Sequence, residues 1–206
     1  MMKIFRLLIM ASLGYLMIGC ASMTGTIQGN QPVDKSKGVL LAGLTADDKG
    51  YVNDAWYYYR KKGSKEELRL DALGTNLFGK PDDYPEDKSK DGRLVAIPLD
   101  AGEYELIAWT LYINQAGGYG YIKPKNSPPP LSFSISPGKI TYLGNLHLNT
   151  FTGKNLFGIS IPAGAEPDIR DNQSVDMPLL KVKYPNLNDW PVQVSVPDAS
   201  AWKMLK

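Results

Sequence analysis

The sequence predicts a mainly β protein: an antiparallel β-sandwich with one short C-terminal helix. Three observations carry that prediction. Short runs of alternating apolar and polar residues recur along the chain, separated by clusters of turn formers. The 206 residues include 20 Gly, 15 Pro and 12 Tyr, a composition that favours turns and strands over helices. Helix start and stop signals coincide at one place, near Asp176. Apolar residues make up 43% of the chain, enough for a single sizeable core.

Taken in order, the elements read as follows. Val39 to Leu44 is a continuous apolar run suited to a buried strand, ended by the turn residues Asp47 to Gly50. Ala55 to Arg60 is aromatic enough for a second strand. Glu67 to Ala72 alternates, with Leu68 and Leu70 opposed to Arg69 and Asp71, the pattern of a half-buried strand. Gly79 to Gly92 is a polar insertion read as a surface loop. A strand over Arg93 to Leu99 leads through the Ala101-Gly102 turn into Glu103 to Ile113, apolar on both faces and so a central strand. An irregular excursion lies between Gly117 and Pro130. Leu131, Phe133 and Ile135 then alternate with serines as an outer strand. Strands are expected over Ile140 to Leu148 and Asn155 to Ile161, and a last one near Gln193 to Val196. The helix is expected over Asp176 to Tyr184, with Asp176 as cap, Pro178 in the first turn, Lys181 and Lys183 near the end, and Pro185 stopping it.

The N-terminus carries an address. Lys3 and Arg6 precede an apolar run from Leu7 to Ile18, which is shorter than the ~20 residues a spanning helix needs. The run fits the apolar region of an export signal. Met17-Ile18-Gly19-Cys20 follows, and Cys20 is the only cysteine. The segment resembles the signal peptide and lipobox of bacterial lipoproteins, with Met17 in place of the usual Leu. The resemblance implies cleavage between Gly19 and Cys20, a diacylglycerol thioether on Cys20 and acylation of the freed amine. Multiple chains anchor stably where one does not. Ala21, rather than Asp, implies sorting to the outer membrane with the body facing the periplasm; surface exposure is an open alternative. The expected organisation is a signal peptide over 1–19, a lipidated flexible tether over 20–37, and a sandwich domain with a C-terminal helical extension over 38–206. The tether could span at most roughly 60 Å. Removing residues 1–19 takes away Lys3 and Arg6 and no acidic residue, so 23 basic against 21 acidic residues become 21 against 21. A formally neutral chain offers no electrostatic basis for nucleic-acid binding.

Two further segments carry a second resemblance. Pro98-Leu99-Asp100-Ala101-Gly102-Glu103-Tyr104 and Phe133 to Gly144 are similar to the hairpin, and the segment after it, of transthyretin-like and carboxypeptidase-regulatory-like sandwiches in bacterial lipoproteins. The stretch Asp176 to Pro185 resembles their C-terminal part. The resemblance spans roughly residues 38–161. It implies a module for binding or spacing and supplies no active-site residue. Gly102 would permit the turn, and Tyr104 would plug one end of the sandwich while its hydroxyl finds a backbone partner.

No arrangement of residues points to catalysis, a cofactor or a metal. His147, the only histidine, lies between Leu146 and Leu148 without a Gly-x-Ser-x-Gly segment to partner it. Zinc sites draw on several His or Cys ligands. Asp47-Asp48, Asp82-Asp83 and Glu86-Asp87 lack EF-hand spacing and read as solvated loop carboxylates. Gly117 to Gly120 lacks the Lys-Ser/Thr ending of a phosphate loop. Aromatic residues are the better lead. Trp56 and Trp109 are expected in the core or an aromatic girdle. Tyr119 and Tyr121, in the Gly-rich excursion, are the candidate ligand-binding pair. The expectation is therefore a lipid-anchored, non-enzymatic envelope protein that binds a protein partner or an envelope polysaccharide. The alternatives are a glycan hydrolase using the loop carboxylates, which would have to converge, and a structural spacer without ligand.

Overall fold

The computed structural model describes residues 25–47, 50–74, 82–115 and 118–203. The strands are β1 (Gly38–Asp47), β2 (Val52–Lys61), β3 (Leu68–Asp71), β4 (Lys90–Leu99), β5 (Gly102–Gln115), β6 (Gly118–Ile122), β7 (Leu131–Ile135), β8 (Ile140–Lys154), β9 (Ser160–Arg170) and β10 (Val192–Val194). Two helices follow β9 in the chain, α1 (Gln173–Lys183) and the short α2 (Ser200–Lys203), with a 3-10 turn over Pro185–Leu187. Residues 1–19, the expected signal peptide, and Cys20 lie outside the described residues. No helix among the described residues is long and apolar enough to cross a membrane.

The strands form two five-stranded sheets. In the first, β1 lies between β4 and β8, and β9 and β10 share the far edge of β8. In the second, β2 lies between β3 and β5, and β6 and β7 share the far edge of β5. The second sheet is antiparallel throughout. The first is mixed, because β1 and β10 both run parallel to β8; the wholly antiparallel expectation is corrected on this point.

Packing explains which strands read clearly. Leu40, Ala42, Leu44 and Ala46 of β1 face Tyr57, Tyr59, Leu106 and Leu111 of the second sheet in the main core. Val39 and Leu41, on the opposite face of β1, join Leu94, Tyr142, Leu180 and Tyr184 in a second core beneath α1. A strand buried on both faces has no polar side to show, hence the unbroken run. The molecule has three layers, with the first sheet in the middle.

The expected hairpin is present. Gly102 has φ +148°, a value few side chains adopt. Tyr104 is buried with its ring 5.7 Å from that of Phe133, and its hydroxyl donates to the carbonyl of Asp100 at 2.9 Å.

Several expectations change. The stretch 20–37 is not tether throughout: Ile27 is buried in the second core and donates its N–H to the carbonyl of Ala96 at 2.9 Å. Asn155 to Ile159 is a turn, and of the expected strand over Asn155 to Ile161 only Ser160 and Ile161 pair, at the start of β9. The Asn155 side chain accepts the N–H groups of Phe157 and Ile159 at 2.9 and 3.0 Å, and pairing resumes at Ser160. Within β9, Pro162 and Pro167 had hidden a strand; proline is tolerated there because β9 is an edge. Helix α1 starts three residues before Asp176, with Asn172 at its N-cap. Asp176 lies inside the first turn and is fully buried.

Candidate functional site

The outer face of the second sheet carries a compact cluster of aromatic rings. Strand alternation puts Tyr57 and Trp109 into the core and their neighbours outward. Trp56 from β2, Tyr112 from β5, and Tyr119 and Tyr121 from β6 therefore share one face. Register completes the arrangement: Tyr112 stands directly opposite Tyr121, and Asn114 opposite Tyr119. Ring centroids are 5.6 Å apart for Trp56–Tyr112, 5.2 Å for Tyr112–Tyr121 and 5.5 Å for Tyr112–Tyr119, and Trp56–Tyr121 closes a triangle at 5.7 Å. The first two pairs are stacked, with interplanar angles of 24° and 21°. From β3, the Arg69 guanidinium lies 4.3 Å from the centre of the Trp56 ring and is paired with Asp71. Tyr119 and Tyr121 are 71% and 61% exposed, whereas Trp56 and Tyr112 are half-buried beneath them. Each ring is packed against its neighbours, so little side-chain freedom remains to be lost when a flat apolar partner lies on the cluster.

The sequence named Tyr119 and Tyr121, and the structure brings them together with Trp56 and Tyr112. Of Trp56 and Trp109, the latter is the core residue and Trp56 belongs to the outer girdle. Arg69 was overlooked as a member of the site. Its signal was present in the alternation of Leu68 and Leu70, which directs Arg69 to the same face as Trp56. Cys20 and Gly19 fall outside the described residues.

His147 has a structural setting. It is buried on the α1 side of the first sheet, with Nδ1 2.8 Å from the Thr45 hydroxyl and Nε2 3.2 Å from an Asp47 oxygen. Thr45 also donates to Asn145 at 2.8 Å, and Asp47 accepts the N–H of Thr150 at 2.7 Å. Burial pushes the imidazole below its usual pKa, while the Asp47 charge opposes that shift. A polar cavity of about 250 Å³ opens here, lined in part by Lys90, Asn149 and Arg170. A second, mostly apolar cleft of about 440 Å³ lies between β6 and the β8–β9 pair, against Trp109, Phe151 and Trp202.

The loop carboxylates do not converge. Asp82 accepts the N–H of Tyr84. Asp83 accepts the N–H of Leu94 and pairs with Lys183. Asp87 is bonded to Ser89 and paired with Lys90; the Ser89 hydroxyl, first among these, holds its pKa down at about 2. Glu86 is exposed. Burial raises the pKa of two other carboxyl groups, Asp54 and Asp176. Both are occupied in holding the fold. Asp54 accepts the N–H groups of Ala55, Leu73 and Gly74. Asp176 accepts from Tyr84, Tyr142 and Asn172. Among the described residues, no group of three or more His, Cys, Asp or Glu side chains is placed to hold a metal ion.

No family model matches this chain, and no curated protein does. Among solved structures, the chain is similar to the crystal structure of a leucine-rich repeat protein from Bacteroides thetaiotaomicron VPI-5482. The likeness is 14% identical, covers 53% of this chain and 13% of that one, and has a TM-score of 0.30.

Proposed function

We propose that this chain is a lipid-anchored, non-enzymatic protein of the bacterial cell envelope whose second sheet binds an envelope polysaccharide. One observation carries the binding reading: the clustered rings of Trp56, Tyr112, Tyr119 and Tyr121 on the outer face of the second sheet, with Tyr119 and Tyr121 open to solvent. Pyranose rings present flat C–H faces that stack on exposed aromatic rings such as those of Tyr119 and Tyr121. The tyrosine hydroxyls, Arg69 and Asn114 supply polar groups beside the apolar surface. In the same reading the fold is a transthyretin-like sandwich, supported by the Tyr104 hairpin with its bond to Asp100. Cys20 is the lipidated residue, and the body faces the periplasm from the outer membrane.

The test is co-sedimentation with purified peptidoglycan sacculi and titration with soluble envelope polysaccharides. Replacing one ring by Ala in Tyr121→Ala removes stacking on the order of 1 kcal/mol, so binding should weaken several-fold, and more in the Tyr119→Ala/Tyr121→Ala double variant. Binding equal to wild type in the double variant would remove the platform as the site. In the same cells, Cys20→Ala should lose both lipid label and membrane fractionation.

A protein partner is the second reading. Exposed Trp and Tyr with a neighbouring Arg are also what the centres of protein interfaces contain, and Arg69 over Trp56 provides that combination. Crosslinking to a specific envelope protein, lost in the double variant while sacculi are ignored, would select it. A spacer without ligand predicts neither result. The hydrolase reading would require carboxylates brought together, and Asp82, Asp83, Glu86 and Asp87 are instead spent on turns and a Lys183 pair or are solvated.

A further inference from the structure

We infer that the tip of the β8–β9 hairpin inserts into the surface of a bilayer containing anionic phospholipid. β1 last pairs with β8 at Leu148, and β10 covers only its first three residues. From Asn149 onward β8 pairs with β9 alone, so the two strands leave the sheet as an arm. At its end Leu156 is 101% exposed, Phe157 86% and Ile159 59%. Neighbouring Phe151 and Ile161 on the arm are exposed as well. Large apolar side chains gathered so openly at one tip mark an interaction site.

The tip is a built structure. Asn155 accepts two N–H groups from within it, Gly158 donates back to the Asn155 carbonyl at 2.9 Å, and Gly158 has φ +74°. Leu156 and Phe157 are thereby held outward on a tight turn.

Size and charge select the occupant. A stable protein interface covers about 800 Å² on each side, which a convex tip of three apolar residues cannot supply. A bilayer surrounds such a tip on all sides. The segment from Asn149 to Ala165 contains no Asp or Glu and one cation, Lys154. That basic residue, one position before the turn, suits the phosphates of an anionic leaflet. This contact is independent of lipid on Cys20 and of the aromatic platform.

The experiment uses the full chain with the native thiol removed by Cys20→Ala. Phe157→Cys in that background carries an environment-sensitive fluorophore, and Glu86→Cys carries the same label as a control. Both are mixed with vesicles of phosphatidylethanolamine and phosphatidylglycerol. The label at position 157 should shift to the blue and be quenched by lipids brominated near the headgroup, while the label at position 86 stays aqueous. Adding Leu156→Ser should raise the lipid concentration for half-maximal shift at least fivefold. The inference is overturned if the label at 157 stays aqueous, whether or not the protein joins the vesicles. It is also overturned if both labels shift alike, or if the 157 label shifts with protein concentration alone, which would mean that a second copy covers the tip.

Discussion

Individual residues divide by how far away their partners lie. Tyr119 and Tyr121 were legible as exposed because they lie in a Gly- and Pro-rich stretch, on either side of Gly120. Asp176 was not: a helix cap was the local reading, but its carboxylate is held by Tyr84 and Tyr142, which are 92 and 34 residues distant. His147 read correctly as a strand residue, yet its polar partners Thr45 and Asp47 come from β1. That setting gives a pH dependence. Burial lowers the folded-state pKa of His147 below the usual value of 6.5. As pH falls through 6.5, the unfolded chain takes up a proton that the folded protein still refuses, so stability declines toward the lower folded value. Comparison with His147→Gln isolates this contribution from the carboxyl groups. Urea midpoints measured between pH 7.5 and 5 should fall less steeply in the variant than in the wild type.

Elements with a single buried face such as β3 and β7 were read well, since period-two alternation records one boundary between core and solvent; β6 was not, because Gly118 and Gly120 stand where apolar residues would mark its inner side, and the stretch read as an irregular excursion. The failures lie where a strand does something besides alternate. β8 bulges between Tyr142 and Asn145, where two of its residues oppose one of β1. Gly144 makes this possible: its φ is +88°, and a Cβ there would sit 2.5 Å from the carbonyl oxygen of Arg170. The bulge resets the phase, so that Leu143, Leu146 and Leu148 all reach the main core while Tyr142 and His147 face the other way. Gly144→Ala should combine backbone strain with a clash against main chain, a loss of about 3 kcal/mol or more. Urea denaturation of the purified variant checks it. Gly50→Ala, at an exposed position with nothing within 4 Å, serves as the mild comparison. Nothing in the Pro-containing stretch of β9 could have announced this arrangement, because its pairing is dictated by β8.

At the scale of the whole molecule, the two-sheet architecture followed from composition and alternation, while the mixed order of the first sheet did not. Its parallel pair joins β1 and β8, about a hundred residues apart, and no turn links them to leave a signal. Three layers meet in that middle sheet, which couples the two cores. Leu180→Ala, in the second core only, should cost about 3 kcal/mol and shift the unfolding of every layer together. Far-UV circular dichroism and tryptophan fluorescence should give one coincident transition; separated midpoints would show that the α1 layer melts by itself. Ile27 adds a consequence for where such a protein can work. Its place in the second core leaves seven residue steps back to Cys20, roughly 25 Å fully drawn out. With Cys20 lipidated as proposed, the body cannot fish at a distance. It is a latch set flush against its membrane, and a polymer held by the aromatic cluster would be pinned there, within about a domain's breadth of the bilayer.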